Sequence, residues 1–310
     1  MFSRFLPALL FGLALSSPLA ADTPKVVATI KPLQLIAAAV LGDIAEPDTL
    51  LPPAASPHNY ALRPSDRRLL TEADRVYWVG PDLERFLQRL LENQDSARRI
   101  DQMPHLTLRY FDDEHHDHGH EHEHGAEHGH DPHDHAPGTL DTHIWLSLSN
   151  ARHIAHGMAE DLGQLYPQHQ QRLQHNAEAF SQRLQQLDQQ LQQRLRPLAG
   201  KPYFVFHDAY GYFEDSLGLK PRSVFTLSAE IQPGARHLQS LRQSLAEAGS
   251  ACLFSEPQFP AARITALSEG MPVRIAELDP LGIDVTDGAG GYEQLMSNLA
   301  SQLAGCLEQL

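Results

Sequence analysis

Val26-Val27-Ala28-Thr29-Ile30 is a short run rich in β-branched and apolar residues, and behind it Leu33 to Leu41 is almost continuously apolar until Gly42. Side chains branched at Cβ are stiff and suit a pleated, extended backbone, so the first run reads as a buried strand. The second is rich in Ala and Leu and stops at a glycine, which reads as a helix. The same pair recurs downstream. Thr49-Leu50-Leu51 is a strand entering a proline-rich loop, and Ser65 to Ala73 is a short helix with Ser65 as its N-cap. Val76-Tyr77-Trp78-Val79-Gly80 is a further strand and Leu83 to Leu91 a further helix. Strands alternating with helices predict βαβ units around a parallel sheet, an α/β fold.

Farther along, Ser149 to Tyr166 is helical. A longer helix runs from Pro167, a favourable first helical residue, to Leu195. Its apolar positions are Leu173, Ala177, Phe180, Leu184, Leu187, Leu191 and Leu195, while the other faces are mostly Gln and Arg. Such a helix spans roughly 45 Å. Its stripe would serve either self-association or a rigid spine, and the spine is preferred because βα alternation resumes directly after it. Strands are predicted at Tyr203 to Phe206, Ser223 to Thr226, Ala251 to Phe254 and Val273 to Glu277. Helices fit at Ala209 to Ser216, Ala235 to Ala248, Ala261 to Glu269 and Tyr292 to Glu308. The expectation is an N-terminal α/β lobe over 22–148, a helix over 149–166, a linking helix over 167–197 and a C-terminal α/β lobe over 198–310.

Residues 1–21 stand apart. Arg4, an apolar run from Phe5 to Leu15 and the small residues Ser16-Ser17-Pro18-Leu19-Ala20-Ala21 form the pattern of a secretory signal peptide. No cysteine lies at the cleavage point to carry a lipid, and the apolar run is too short to cross a bilayer. The expectation is a soluble protein exported to the periplasm. In that oxidising compartment Cys252 and Cys306 are expected to form a disulfide. The net charge of −15 argues against nucleic acid as a partner. Nine of the acids lie between Asp112 and Asp134, and without them the balance is only −6, so the acidity is local.

That acidic stretch belongs to a low-complexity insert over 112–137 that contains ten of the 19 histidines, His115 to His135. With almost no apolar side chain it cannot build a core and is expected to be an exposed, disordered loop. Imidazoles interleaved with carboxylates suit Zn²⁺, Ni²⁺ or Cu²⁺. The tract by itself does not say which metal, or whether contact means transport, buffering or sensing. A quieter set is scattered through the chain: His58 beyond the strand at Leu51, His143 just past the insert, His207 directly after the strand Tyr203 to Phe206, and Asp279 just after Glu277. In parallel α/β sheets the loops beyond the carboxyl ends of strands converge on the ligand crevice. At least three of the four obey that rule. The remaining histidines (His105, His153, His156, His169, His175 and His237) call for no special role, and Trp78 and Trp145 read as core.

His58-x-Tyr60-x-Leu62-x-Pro64-Ser65-Asp66, Asp141-x-His143-x-Trp145-Leu146, Phe206-His207-Asp208-Ala209-Tyr210 and Leu278-Asp279-Pro280-Leu281-Gly282 together resemble the metal-binding subunits of cluster A-I ABC transporters, the zinc-uptake members most closely. The resemblance covers essentially the whole chain after the leader. It implies two Rossmann-like lobes, a rigid linking helix, one metal site between the lobes, and delivery of Zn²⁺ to a membrane permease powered by a separate ATPase. It also implies His58, His143 and His207 as metal ligands. Manganese members carry a carboxylate where His207 stands, and three imidazoles plus one oxygen suit tetrahedral Zn²⁺. In one respect the chain departs from some zinc members: Pro57 replaces a Glu that assists the site. The fourth position is then open to Asp279, the first choice, to water or to a loop histidine. An enzyme is not expected, since no His-Glu-x-x-His or similar hydrolase motif is present, although Asp208 or Glu256 would be the candidate bases of a zinc hydrolase. A zinc buffer or adhesin without a transporter is the other alternative.

Overall fold

The computed structural model describes residues 23–111, 138–226, 235–259, 264–265 and 268–310. The expected leader, the histidine-rich insert and much of the helix expected at Ala261 to Glu269 lie outside the described residues.

Two four-stranded sheets, parallel throughout, form the frame. The first has the order β2 (Asp48–Thr49), β1 (Val26–Ala28), β3 (Arg75–Trp78), β4 (Ala97–Arg99). The second repeats it as β6 (Ser223–Thr226), β5 (Tyr203–His207), β7 (Ala251–Ser255), β8 (Val273–Glu277). In each, the chain winds one way from the first strand and then the other way. A topological switch therefore opens a crevice beyond the strand ends, between β1 and β3 and again between β5 and β7.

β1 and the strands β5 and β7 are wholly buried and correspondingly apolar. β4 was not foreseen: Ala97-Arg98-Arg99 is a half-buried edge strand with no apolar run to announce it. The first sheet carries α1 (Lys31–Leu41), with every residue buried, then α2 (Pro64–Glu72) and the short α3 (Gln88–Leu91), which follows a 3-10 turn at Arg85–Leu87. Ser65 does not cap α2. The cap is Arg63, Pro64 opens the helix, and the Asp66 carboxylate accepts the Arg63 backbone N–H at 2.8 Å. Proline has no amide hydrogen to lose at that position, so the helix starts there and Ser65 lies one residue inside it.

α4 (Leu148–Leu165) is capped by Ser147, whose hydroxyl accepts from the Asn150 amide at 3.1 Å. α5 (Gln170–Leu195) runs for 26 residues between 3-10 turns at Pro167–His169 and Arg196–Leu198. All seven of its expected apolar positions are buried, against α1, α4, α6 (Gly211–Leu217) and α8 (Gly291–Leu307), with α7 (Ala235–Ala248) lying elsewhere on the second sheet. The stripe is therefore spent inside the molecule on helices of both halves. The same apolar cluster extends from Val26 to Leu307, so the lobes share a core. Polar ties cross between them: Lys31 Nζ donates to the Val285 carbonyl, Trp145 Nε1 to the Pro280 carbonyl at 2.9 Å, and the Tyr292 hydroxyl to the Trp145 carbonyl. Trp78 and Trp145 are both core residues. Cys252 on β7 and Cys306 on α8 are disulfide-bonded, with Cα atoms 6.1 Å apart. Among the described residues no helix is long and apolar enough to cross a membrane.

Candidate metal centre

His58, His143 and His207 meet although 85 and 64 residues separate them in sequence. Each is delivered differently. His207 is the last residue of β5, at the switch point of the second sheet. His58 sits in the proline-rich connection between β2 and α2, where the Tyr60 hydroxyl donates to Asp66 at 3.0 Å and ties the loop to the first turn of α2. His143 precedes a 3-10 turn at Ile144–Leu146 whose side chains are buried.

One ligand atom from each of the three imidazoles lies within 4.8 Å of the other two, the one such group of histidines, cysteines and acids among the described residues. The ring centroids are 4.9 Å apart for His143 and His207, 5.4 Å for His58 and His207, and 5.7 Å for His58 and His143. An imidazole bound at a Zn–N length of about 2.0–2.1 Å has its centroid about 3.2 Å from the ion, so rings at tetrahedral angles have centroids about 5.2 Å apart. The three observed separations bracket that value. The space between the rings has room for about 20 Å³, enough for a single water-sized body. Pro57, Trp145, Phe259, Pro280 and Leu281 share its walls with the histidines, Glu256 and Gln258. Apolar walls keep water out and strengthen any charge interaction inside.

Two carboxylates face the rings. Asp141 Oδ1 lies 2.8 Å from His143 Nδ1 and also accepts the His143 amide at 3.1 Å. A carboxylate can only accept, so Nδ1 carries the proton and the Nε2 lone pair is turned toward the space, the arrangement that raises the basicity of a metal-binding imidazole. Glu256, immediately beyond β7, places Oε1 3.5 Å from His207 Nδ1, a charge contact that faces the ring without fixing its tautomer. Burial raises the Asp141 carboxyl to about 6, against the pull of the His143 amide and the Arg109 guanidinium. Burial, then the neighbouring His207 and His58, hold His143 well below the usual histidine value, which keeps it neutral. Burial opposes charge on His207 as well, but Glu256, Asp208 and Asp141 outweigh it and raise its pKa.

Asp279 stands outside the three-imidazole group and does not line the space between the rings. Its Oδ1 accepts from the Leu281 amide at 3.0 Å and from Gln258 Nε2 at 3.2 Å, and its Oδ2 accepts from the Ile283 amide. These bonds shape the loop that presents Pro280 and Leu281 to the site. Sequence reasoning gave no role beside the imidazoles to Asp141 or Glu256. Glu256 follows a strand end, the rule that singled out His207, and Asp141 is two residues before His143, a spacing that lets a side chain bond to the backbone just ahead of it.

The zinc-uptake complex component A family, ZnuA, described as periplasmic, matches residues 26–306. The high-affinity zinc uptake system protein ZnuA of Yersinia pestis is 40% identical over 305 residues, covering 96% of this chain and 95% of its own length. That of Paracoccus denitrificans is 38% identical over 306 residues, covering 94% of each. A crystal structure of a ZnuA deletion mutant with zinc bound superposes with a TM-score of 0.73 at 24% identity, covering 92% of this chain and 98% of that one. At that identity the superposition speaks to the fold alone.

Proposed function

The chain belongs to the ZnuA family of zinc-uptake components, and from that premise we propose that it captures Zn²⁺ in the periplasm and delivers it to the permease of an ABC-type importer. The observation that carries the reading is the convergence of His58, His143 and His207, from both lobes, around a space for one ion. The three Nε2 or Nδ1 lone pairs hold the ion. The fourth position falls to water, because Asp279 would reach it only by releasing the Leu281 and Ile283 amides. Three neutral imidazoles leave the ion's charge to be balanced from a distance by Asp141 and Glu256, whose carboxylates face two of the rings.

Release follows from the same construction. The ligands come from both halves of the molecule, so a small rotation between the lobes at the permease breaks the set without unfolding either half. The protein works as a monomer cleaved of residues 1–21, and the insert at 112–137 holds further ions weakly and raises the supply of zinc near the site. The test is to measure bound metal in purified, demetallated and reloaded protein, with and without residues 112–136. One tight zinc equivalent should survive the deletion and vanish in the His207→Ala variant. Under zinc limitation, cells lacking the protein should be rescued by the wild type and not by that variant. Absence of any tight equivalent, or rescue by His207→Ala, would overturn the reading.

A further inference from the structure

Asp141 uses both of its oxygens. Oδ1 faces His143, and Oδ2 accepts from Arg109 Nη1 at 3.0 Å. Arg109 in turn reaches the other lobe: its Nε donates to Asp215 on α6 at 3.1 Å, and its backbone N–H donates to the Tyr212 hydroxyl at 2.8 Å. That hydroxyl donates to the Asp141 carbonyl at 3.0 Å, and the Asp141 amide donates back to the Arg109 carbonyl at 2.9 Å. Gly211, the first residue of α6, leaves the room: a Cβ built there would lie 2.4 Å from Arg109 Cζ and Nη1.

We propose that Arg109 is a positioning residue for the metal centre, clasping α6 of the C-terminal lobe to the carboxylate that orients His143 of the N-terminal lobe. The inference rests on the zinc-capture reading above. The Arg109–Asp215 pair is exposed and carries little weight by itself, but Asp141 is fully buried and the Tyr212 hydroxyl of α6 bridges the Arg109 amide and the Asp141 carbonyl. A buried carboxylate with one oxygen unsatisfied would turn toward whatever donor it could find, and the first donor within reach is the imidazole it is meant to steady. The forked guanidinium prevents this by holding Oδ2 from a fixed direction. Because Arg109 and Asp141 are tied to α6 through Tyr212, five residues beyond His207, as well as through Asp215, the orientation of His143 depends on the lobes being in register. Separation of the lobes would then do more than pull His207 away. It would also loosen His143, so capture and release become one cooperative event.

The experiment is chelator competition for zinc on the full chain, with dissociation rates, for Arg109→Met, Arg109→Lys, Gly211→Ala, Asp141→Asn and the Arg109→Met/Asp141→Asn pair. Partners of metal-bound histidines are worth about 10–100-fold in affinity. Arg109→Met and Gly211→Ala should each weaken binding about tenfold with faster release. The lysine variant should recover only part of the loss, and the pair should bind no more weakly than Asp141→Asn alone. Gly211→Ala displaces only the far end of a flexible side chain, so it carries the test even if Arg109→Met fails to fold. A merely structural role would lower the melting temperature of the metal-free protein and leave affinity unchanged. Wild-type affinity in Arg109→Met and Gly211→Ala, or additive losses in the pair, would overturn the proposal. A wild-type chain with no tight zinc would instead overturn the reading on which it rests.

Discussion

Lowering the pH from 7.5 to 5.5 is expected to weaken zinc binding at the buried site by at least about tenfold, and the structure says which group is responsible. Imidazoles must shed their protons before they accept an ion. Burial and its histidine neighbours keep His143 well below the usual 6.5, so it is neutral at both pH values and costs nothing. His207 behaves oppositely, because Glu256, Asp208 and Asp141 overcome the effect of burial and raise it above 6.5. A histidine at the ordinary value is about nine-tenths protonated at pH 5.5, which alone is about a tenfold penalty, or about 1.4 kcal/mol. The raised value makes tenfold a floor. Titration of the fold itself acts in both directions over this range. A raised His207 contributes stability that is present below 6.5 and lost as the pH rises through its folded value. Glu84, raised by burial to about 7, and Glu214, raised to about 8, act in the same direction. His143 is the opposing case, with stability present above 6.5 and lost as the pH falls through its depressed value. Calorimetric titration at the two pH values, on protein lacking residues 112–136 so that the insert's histidines do not contribute, reads the effect directly. Equal affinities would refute the three-imidazole site.

Asp279→Asn should cost less than about tenfold in zinc affinity while lowering the stability of the metal-free protein by about 1–2 kcal/mol, since the side chain serves two loop amides; a loss of a hundredfold or more in affinity would restore it as a ligand. Replacing Cys252 and Cys306 together by Ala opens a loop of 54 residues and should cost about 4 kcal/mol in thermal or denaturant unfolding. The bridge lies at the opposite end of β7 from Glu256, so zinc affinity of the refolded variant should change less than twofold. Glu214 is buried against the Tyr203 hydroxyl at 2.8 Å, and burial raises its carboxyl from 4.5 to about 8, so stability is lost as the pH rises from the unfolded value through the folded one. Glu214→Gln should therefore flatten the decline of the melting temperature between about pH 4.5 and 8, and an unchanged decline would place the liability elsewhere.

Much of the frame was legible because its signals are local. Seven of the eight strands among the described residues were foreseen from apolar runs, and the one that was not, Ala97–Arg99, is an edge strand whose pairing rests on the backbone of β3 alone. The α5 stripe gave its buried face residue by residue, since a period of 3.6 is a property of the chain. Its partners were not in that signal, because a stripe of leucines is equally suited to another copy of itself and to four helices of its own chain. The cap of α2 was misplaced by two residues: Ser65 and Arg63 differ in capping propensity in the wrong direction, and the deciding contribution came from Asp66 reaching back to the Arg63 amide.

The candidate ligands were legible only jointly, through their motifs' resemblance to a metal-binding family, and no one of these histidines identified itself as a ligand. Sequence by itself determined that this is an α/β chain carrying βαβ units on both sides of a long helix, with imidazoles at loop positions facing the crevices. Only the tertiary structure decided that three of them stand about 5 Å apart around one space. It also decided that Asp141 holds His143, that Glu256 faces His207 and that Asp279 is bonded to two amides of its own loop. The physical reason is range. Strand and helix propensities act over a few residues along the chain, but a coordination shell is set by the packing of two sheets and α5, which no local pattern encodes.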